Sequence, residues 1–137
     1  SLKRIVLMKS HWQIDEVAEN AVGFVYVIIN KLNKKTHIGK KFYYSTIRKK
    51  PLKGKKRTRV ITKESNWRTY CSSSDYVKAD IKKYGKENFT FKIIKSYDNK
   101  TKVNYAELEL LVKNDVLDGS DKWYNGNILG KYFNGQV

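Results

Sequence analysis

Six residues in a row, Phe24, Val25, Tyr26, Val27, Ile28 and Ile29, run into a polar turn and out again through Thr36, His37 and Ile38 to Gly39. An apolar run this short, bounded by Asn30, Asn33 and a group of lysines, reads as one strand leading into a second, a β-hairpin. The two-residue period puts Phe24, Tyr26 and Ile28 on one face and Val25, Val27 and Ile29 on the other. Tyr26 and His37 stand out, because each is a proton-handling group set among residues that otherwise only fill a core.

The remaining pattern supplies the other elements. Upstream lie a short apolar piece, residues 5–8, then Trp12, Ile14 and Val17, with residues 15–20 reading as a short helix or a loop. Downstream, Ser74 or Asp75 is placed to cap a helix whose apolar stripe is Tyr76, Val77, Ile81 and Tyr84, and Gly85 stops it. Alternation over residues 89–97 makes a third strand. Residues 101–117 read as a second helix, with Val103, Ala106, Leu110, Val112 and Leu117 on its apolar side and Glu107 and Glu109 on neighbouring faces. The Gly- and Asn-rich tail reads as irregular and packed. The expected architecture is α+β, a small, mostly antiparallel three-stranded sheet flanked by helices. At 137 residues the whole chain is expected to form one domain.

Between the hairpin and the first helix the composition changes. Arg48, Lys49, Lys50, Lys53, Lys55, Lys56, Arg57 and Arg59 crowd into twelve positions, with Pro51 and Gly54 among them. Proline and glycine there argue for a basic insertion loop, at about residues 42–66, rather than a helix. The chain as a whole carries a formal charge of +16. Such an excess repels itself in a compact fold and points to a polyanionic partner, nucleic acid first, an anionic membrane surface or an acidic protein second. Cys71 is the sole cysteine and there are two histidines, which excludes an internal disulfide and a four-ligand structural zinc site. A reducing, intracellular setting is expected, and no apolar run approaches the length of a membrane span.

The order of these pieces resembles the GIY-YIG nuclease family. Phe24-Val25-Tyr26 stands where that family has its first motif, and His37-Ile38-Gly39 where it has its second, with histidine replacing the second tyrosine. An arginine, Arg48, follows, then a Tyr-x-Ser-Ser element with a Lys-Lys-Tyr-Gly-Lys-Glu-Asn-Phe stretch, a helical glutamate, and the pair Tyr124-Asn125. The resemblance implies a metal-dependent DNA endonuclease yielding 5′-phosphate and 3′-hydroxyl ends. It assigns Tyr26 to water activation and Arg48 to clamping the phosphate, with Glu107 holding one divalent cation, Mg²⁺ or Mn²⁺. Asn125 is implied to orient a helix end or a phosphate oxygen. His37 can orient the water or take a proton in place of the second tyrosine. Lys40 and Lys41 can supplement Arg48.

Each assignment has a plainer competitor. Taken alone, Tyr26 is core filler with a wet hydroxyl, His37 a turn-proximal histidine, and Arg48 a solvated charge with Lys49 and Lys50 competing for its register. Glu109 competes with Glu107. For the insertion, Lys49, Lys50, Lys53, Lys55, Lys56, Arg57 and Arg59 are expected to track DNA phosphates, giving affinity and positioning rather than sequence choice. Trp67 either stacks on a base or anchors the loop. Duplex DNA is the expected partner, and cutting both strands calls for a homodimer on DNA or for sequential nicks. The competing functions are a non-catalytic nucleic-acid-binding module on the same scaffold and a basic protein that binds an acidic partner.

Overall fold

The computed structural model describes residues 10–14 and 20–137. In chain order its elements are β1 (Gly23–Asn30), β2 (Thr36–Phe42), β3 (Tyr44–Lys49), β4 (Arg59–Glu64), α1 (Asp75–Tyr84), β5 (Phe89–Tyr97), α2 (Lys100–Lys113), β6 (Asn127–Ile128) and β7 (Tyr132–Phe133). Residues 5–8 and 15–19, read above as an apolar piece and a short helix or loop, lie outside the described residues.

The apolar run becomes β1, the central strand of an antiparallel sheet ordered β2-β1-β5. Its turn is closed by side chains that mimic backbone: Asn30 Oδ1 accepts from the Leu32 amide and Asn33 Oδ1 from the Lys35 amide, both at 2.9 Å. The register sets Tyr26 opposite Gly39 and Ile28 opposite His37. The expected α+β class with a three-stranded antiparallel sheet and flanking helices is what the chain forms.

Alternation along β1 sorts the core into two layers. Phe24, Tyr26 and Ile28 join Trp12, Tyr43, Trp67, Val77 and Phe91 on one face of the sheet. Val25 and Val27 join Leu111, Val116, Leu117 and Trp123 on the other. Helix α1 therefore packs through Val77 on the first face, and α2 through Leu111 on the second. A strand apolar on both faces is what a sheet between two layers demands.

Local chemistry fixes the helix ends. Ser74 caps α1 by accepting from the Val77 amide, and Gly85 ends the helix at φ +92°. Asn99 caps α2 by accepting from the Lys102 amide at 2.8 Å. Helix α2 stops at Lys113 rather than at residue 117, because the Asn114 side chain donates to the Leu110 carbonyl and Asp115 turns to φ +50°. The buried Val116 and Leu117 belong to the turn beyond it. Of the stripe expected on α1, Val77 is buried but Tyr76 is exposed.

The basic insertion is not a loop throughout. Its flanks are strands β3 and β4, which pair antiparallel from Tyr44 opposite Glu64 to Lys49 opposite Arg59. Only residues 50–58 between them are irregular, with Gly54 at φ +80° and the Lys55 amide bonded to the Leu52 carbonyl. Arg48, Lys49 and Arg59 thus ride on a two-stranded ribbon.

Candidate active site

The cleft forms where strand β2 stops being covered. The tail closes the first part of that edge strand: Thr36 N donates to the Lys122 carbonyl at 2.9 Å and Tyr124 N to the Thr36 carbonyl at 2.8 Å. Asn125 finishes the closure with both ends of its amide, accepting from the Ile38 N–H at 3.1 Å and donating to the Ile38 carbonyl at 2.9 Å. Beyond Ile38 this pairing ends. A cleft of about 560 Å³ opens there, lined among others by Tyr26, His37, Gly39, Lys40, Tyr70 and Glu107.

Tyr26 reaches this cleft from the strand behind. Its side chain crosses over Gly39, and a Cβ at that position would overlap the phenol oxygen. The glycine of the second motif is therefore a passage for the tyrosine of the first. A bulge helps to aim it: the pairing of β1 with β5 shifts between Val25 and Tyr26, leaving Ile94 unopposed. Tyr26 is 1% exposed and sits 5.0 Å from the Trp12 ring, 5.9 Å from His37 and 6.2 Å from Tyr70, between centroids. Burial pushes its pKa up, a hydrogen bond from Ser72 opposes this, and the charge of Glu107 adds to the rise. In the resting cleft Tyr26 is a phenol and not a phenolate.

His37 is held by Ser72, the first serine of the Tyr-x-Ser-Ser element, to which the sequence alone gave no role of its own. Its Nε2 lies 2.9 Å from Ser72 Oγ, which also accepts from the Ser74 amide at 3.0 Å. Ser72 is 1% exposed and sits at φ +87°, a conformation that costs a residue with a Cβ on the order of 1–3 kcal/mol. Buried strain of that kind persists only where the surroundings enforce it. Burial lowers the His37 pKa to about 4, so the ring is neutral near pH 7, and its buried Nδ1 has no hydrogen-bond partner among the described residues.

Glu107 enters from α2 on the opposite side. Its pKa is raised by burial and pulled back by Lys40, whose Nζ lies 3.7 Å from Oε1 and 2.6 Å from Asn104 Oδ1. A half-buried carboxylate facing open space, with a single ammonium at the edge of ion-pair range, suits a hard cation that keeps most of its water. Among the described residues no three His, Cys, Asp or Glu side chains cluster as a metal cage would require. The donor set fits an ion completed by water and substrate oxygens.

A family model described as "Putative endonuclease segE, GIY-YIG domain" matches residues 6–128. The chain belongs to the GIY-YIG family. No curated protein and no solved structure gives a significant match. Membership supports a nuclease function. In GIY-YIG terms the first motif, Phe24-Val25-Tyr26, and the second, His37-Ile38-Gly39, lie on neighbouring strands, and Tyr26 and His37 line one cleft.

Several residues singled out from the sequence fall elsewhere. Arg48 stands exposed on β3 and does not line the cleft, so it is not placed to clamp a phosphate there; Lys40 is the cation beside Glu107. Asn125 borders the cleft, but its amide is spent on the Ile38 backbone, which makes it a fastener of β2. Trp67 is 0% exposed, packed edge-on against Tyr43 at 4.9 Å with Nε1 bonded to Glu64. No face of it is open to a base, and it anchors the ribbon. Lys41 lies over the Tyr70 ring at 4.2 Å, its pKa lowered by burial. Lys50, Lys53, Lys55, Lys56 and Arg57 occupy the exposed ribbon tip. The serine run at 72–74 was the visible trace of Ser72, but nothing in a string of serines reveals a positive φ.

Proposed function

We propose that this GIY-YIG domain is a metal-dependent endonuclease that hydrolyses DNA phosphodiester bonds, leaving 5′-phosphate and 3′-hydroxyl ends. The observation that carries this reading is the meeting of Tyr26, His37 and Glu107 in one cleft, each delivered by a different element. Hydrolysis requires a positioned water, neutralisation of the charge that builds on the phosphate, and a stabilised leaving oxygen. Glu107 would hold a divalent ion, Mg²⁺ or Mn²⁺, which when bound would neutralise phosphate charge. Lys40 adds a second positive charge beside it. His37, neutral and tethered through Nε2 to Ser72, helps to orient the attacking water, its pKa of about 4 leaving it a weak base. Tyr26 is kept protonated by burial, so it donates a hydrogen bond to a phosphate oxygen; it acts as a base only when positive charge arrives with the substrate. One cleft cuts one strand, and a double-strand break takes two copies or two successive nicks.

The test is a supercoiled plasmid incubated with Mg²⁺, with EDTA, and with Tyr26→Phe or Glu107→Ala protein. Relaxed circles that appear only with the metal and with both residues support the proposal. Tight, salt-sensitive binding without cutting under any divalent ion would support the binding-module alternative instead.

A further inference from the structure

Among the described residues the ribbon β3–β4 has no neighbouring strand on either edge. It forms a two-stranded sheet of its own, and from Ser45 to Lys63 every residue is exposed except Ile61, which is half-buried. Its root, by contrast, is fixed. Ser65 Oγ donates to the Phe42 carbonyl at 2.6 Å, Ser65 N to the Tyr43 carbonyl at 2.8 Å, and Glu64 takes Trp67 Nε1 and an Arg68 ion pair at 2.7 Å. Tyr44 packs against the main core. The result is a blade held firmly at its base and wet on both faces.

Its composition does not suit isolation. Two strands without a packed face are marginal in water, and of β-branched Thr46, Ile47, Val60, Ile61 and Thr62 only the cross-strand pair Ile47–Ile61 shares apolar contact, with Ile61 alone half-buried. Lys49 faces Arg59 directly across the ladder, a like-charge pair that weakens the ribbon until a polyanion is present. From Ser45 to Lys63 nine residues are basic (Arg48, Lys49, Lys50, Lys53, Lys55, Lys56, Arg57, Arg59 and Lys63) and none is acidic; Glu64 lies at the root.

We infer that the blade enters the major groove of duplex DNA and sets where along the duplex the cleft engages. The inference rests on the DNA reading above and adds to it a groove-reading element where phosphate tracking alone was expected. Strands ~4.8 Å apart, with side chains on both faces, match a groove ~12 Å wide and ~8.5 Å deep, and exceed a minor groove ~6 Å wide. Six paired residues at ~3.4 Å each make a ribbon ~20 Å long, which lies along the groove with one face on its floor rather than entering tip-first. The basic tip and the Lys49–Arg59 pair meet phosphates on the groove walls. The cross-strand pair Thr46–Thr62 presents two hydroxyls on one face at mid-blade, where base edges lie. Duplex RNA, whose major groove is deep and narrow, would not admit it.

The experiment uses full-chain Glu107→Gln protein, so that duplexes survive, and dimethyl sulfate interference. Methylation at guanine N7, in the major groove, is expected to block binding over about half a helical turn, while methylation at adenine N3, in the minor groove, has no effect. Thr46→Ala/Thr62→Ala is expected to erase N7 interference at its contacts and leave the salt slope alone. Lys49→Ala/Arg59→Ala is expected to flatten the slope by about two and keep the interference. A blade trimmed by an Asn-Gly turn between Ser45 and Lys63 should bind duplex DNA at least tenfold more weakly, while melting as cooperatively as the complete chain. Should the trimmed chain not fold, the two point-variant pairs decide. Unchanged affinity after trimming, interference at adenine N3 alone, or equal affinity for duplex RNA overturns the inference while leaving the nuclease reading standing. Absence of any duplex binding by the complete protein overturns both.

Discussion

Ser72 and His37 carry the residue-scale predictions. Ser72→Ala keeps the positive φ and loses the bond to His37, so it should cost about 1–2 kcal/mol of stability and slow cleavage by tenfold or more, with duplex affinity unchanged. Ser72→Gly relieves the backbone and should recover stability without recovering rate, a split measured by urea melts beside single-turnover cleavage. For His37, the folded pKa of about 4 lies below the ordinary 6.5. The unfolded chain therefore takes up a proton near 6.5 that the folded one refuses, and stability present above pH 6.5 is lost as pH falls toward 4. The 2.5-unit gap amounts to about 3 kcal/mol. His11, also lowered to about 4 by burial, acts in the same sense, whereas Glu107, raised by burial, acts in the opposite one. The stability advantage of the native chain over His37→Gln should accordingly shrink between pH 6.5 and 4, as followed by urea unfolding. Gly39→Ala is expected to cost both stability and rate, because its Cβ would meet the Tyr26 phenol.

Among the elements, β2 matters most, since the tail that covers its edge also defines where the cleft begins. Removing the Asn125 amide leaves the Ile38 N–H and carbonyl unpaired, and Asn125→Ala should cost about 1–3 kcal/mol, with a rate loss that follows loosened β2 rather than lost phosphate contact. Hydrogen exchange at the Ile38 amide would report this directly. The hairpin, α1 and β5 were readable because each has an unbroken period and a local stop: the Asn30 turn, the Ser74 cap, Gly85. The ribbon was not, since lysine and arginine interrupt its alternation and nothing covers either face to enforce one. Trp67 was misplaced for a related reason: a tryptophan beside a basic run looks like a stacking platform, and only the tertiary fold reveals Phe24 and Tyr43 around it. Arg48 fell at the family's expected place in the order of motifs, but six intervening strand positions carry it away from the cleft lining. Tyr26, His37 and Glu107 could be named from sequence because motif order is a linear property. The Ser72 tether and the Lys40 partner could not, because they depend on φ and on which helix face meets which strand.

For the molecule as a whole, the +16 charge is unevenly spent, with its densest part on a projecting blade and a mixed set, Lys40, Asp75 and Glu107, around the cleft. With DNA bound by the blade and cut in the cleft, as proposed, salt should weaken duplex affinity steeply while leaving the single-turnover rate of bound substrate nearly constant. Among the described residues, no helix is long and apolar enough to cross a membrane. The central claim is that the cleft joining Tyr26, His37 and Glu107 is where the phosphodiester bond breaks. Single-turnover cleavage of an end-labelled duplex, followed against Mg²⁺ concentration for the native chain and for Glu107→Gln, tests it most directly. Glu107→Gln is expected to cut at least a hundredfold more slowly at equal duplex affinity; a native rate in that variant would place the chemistry elsewhere.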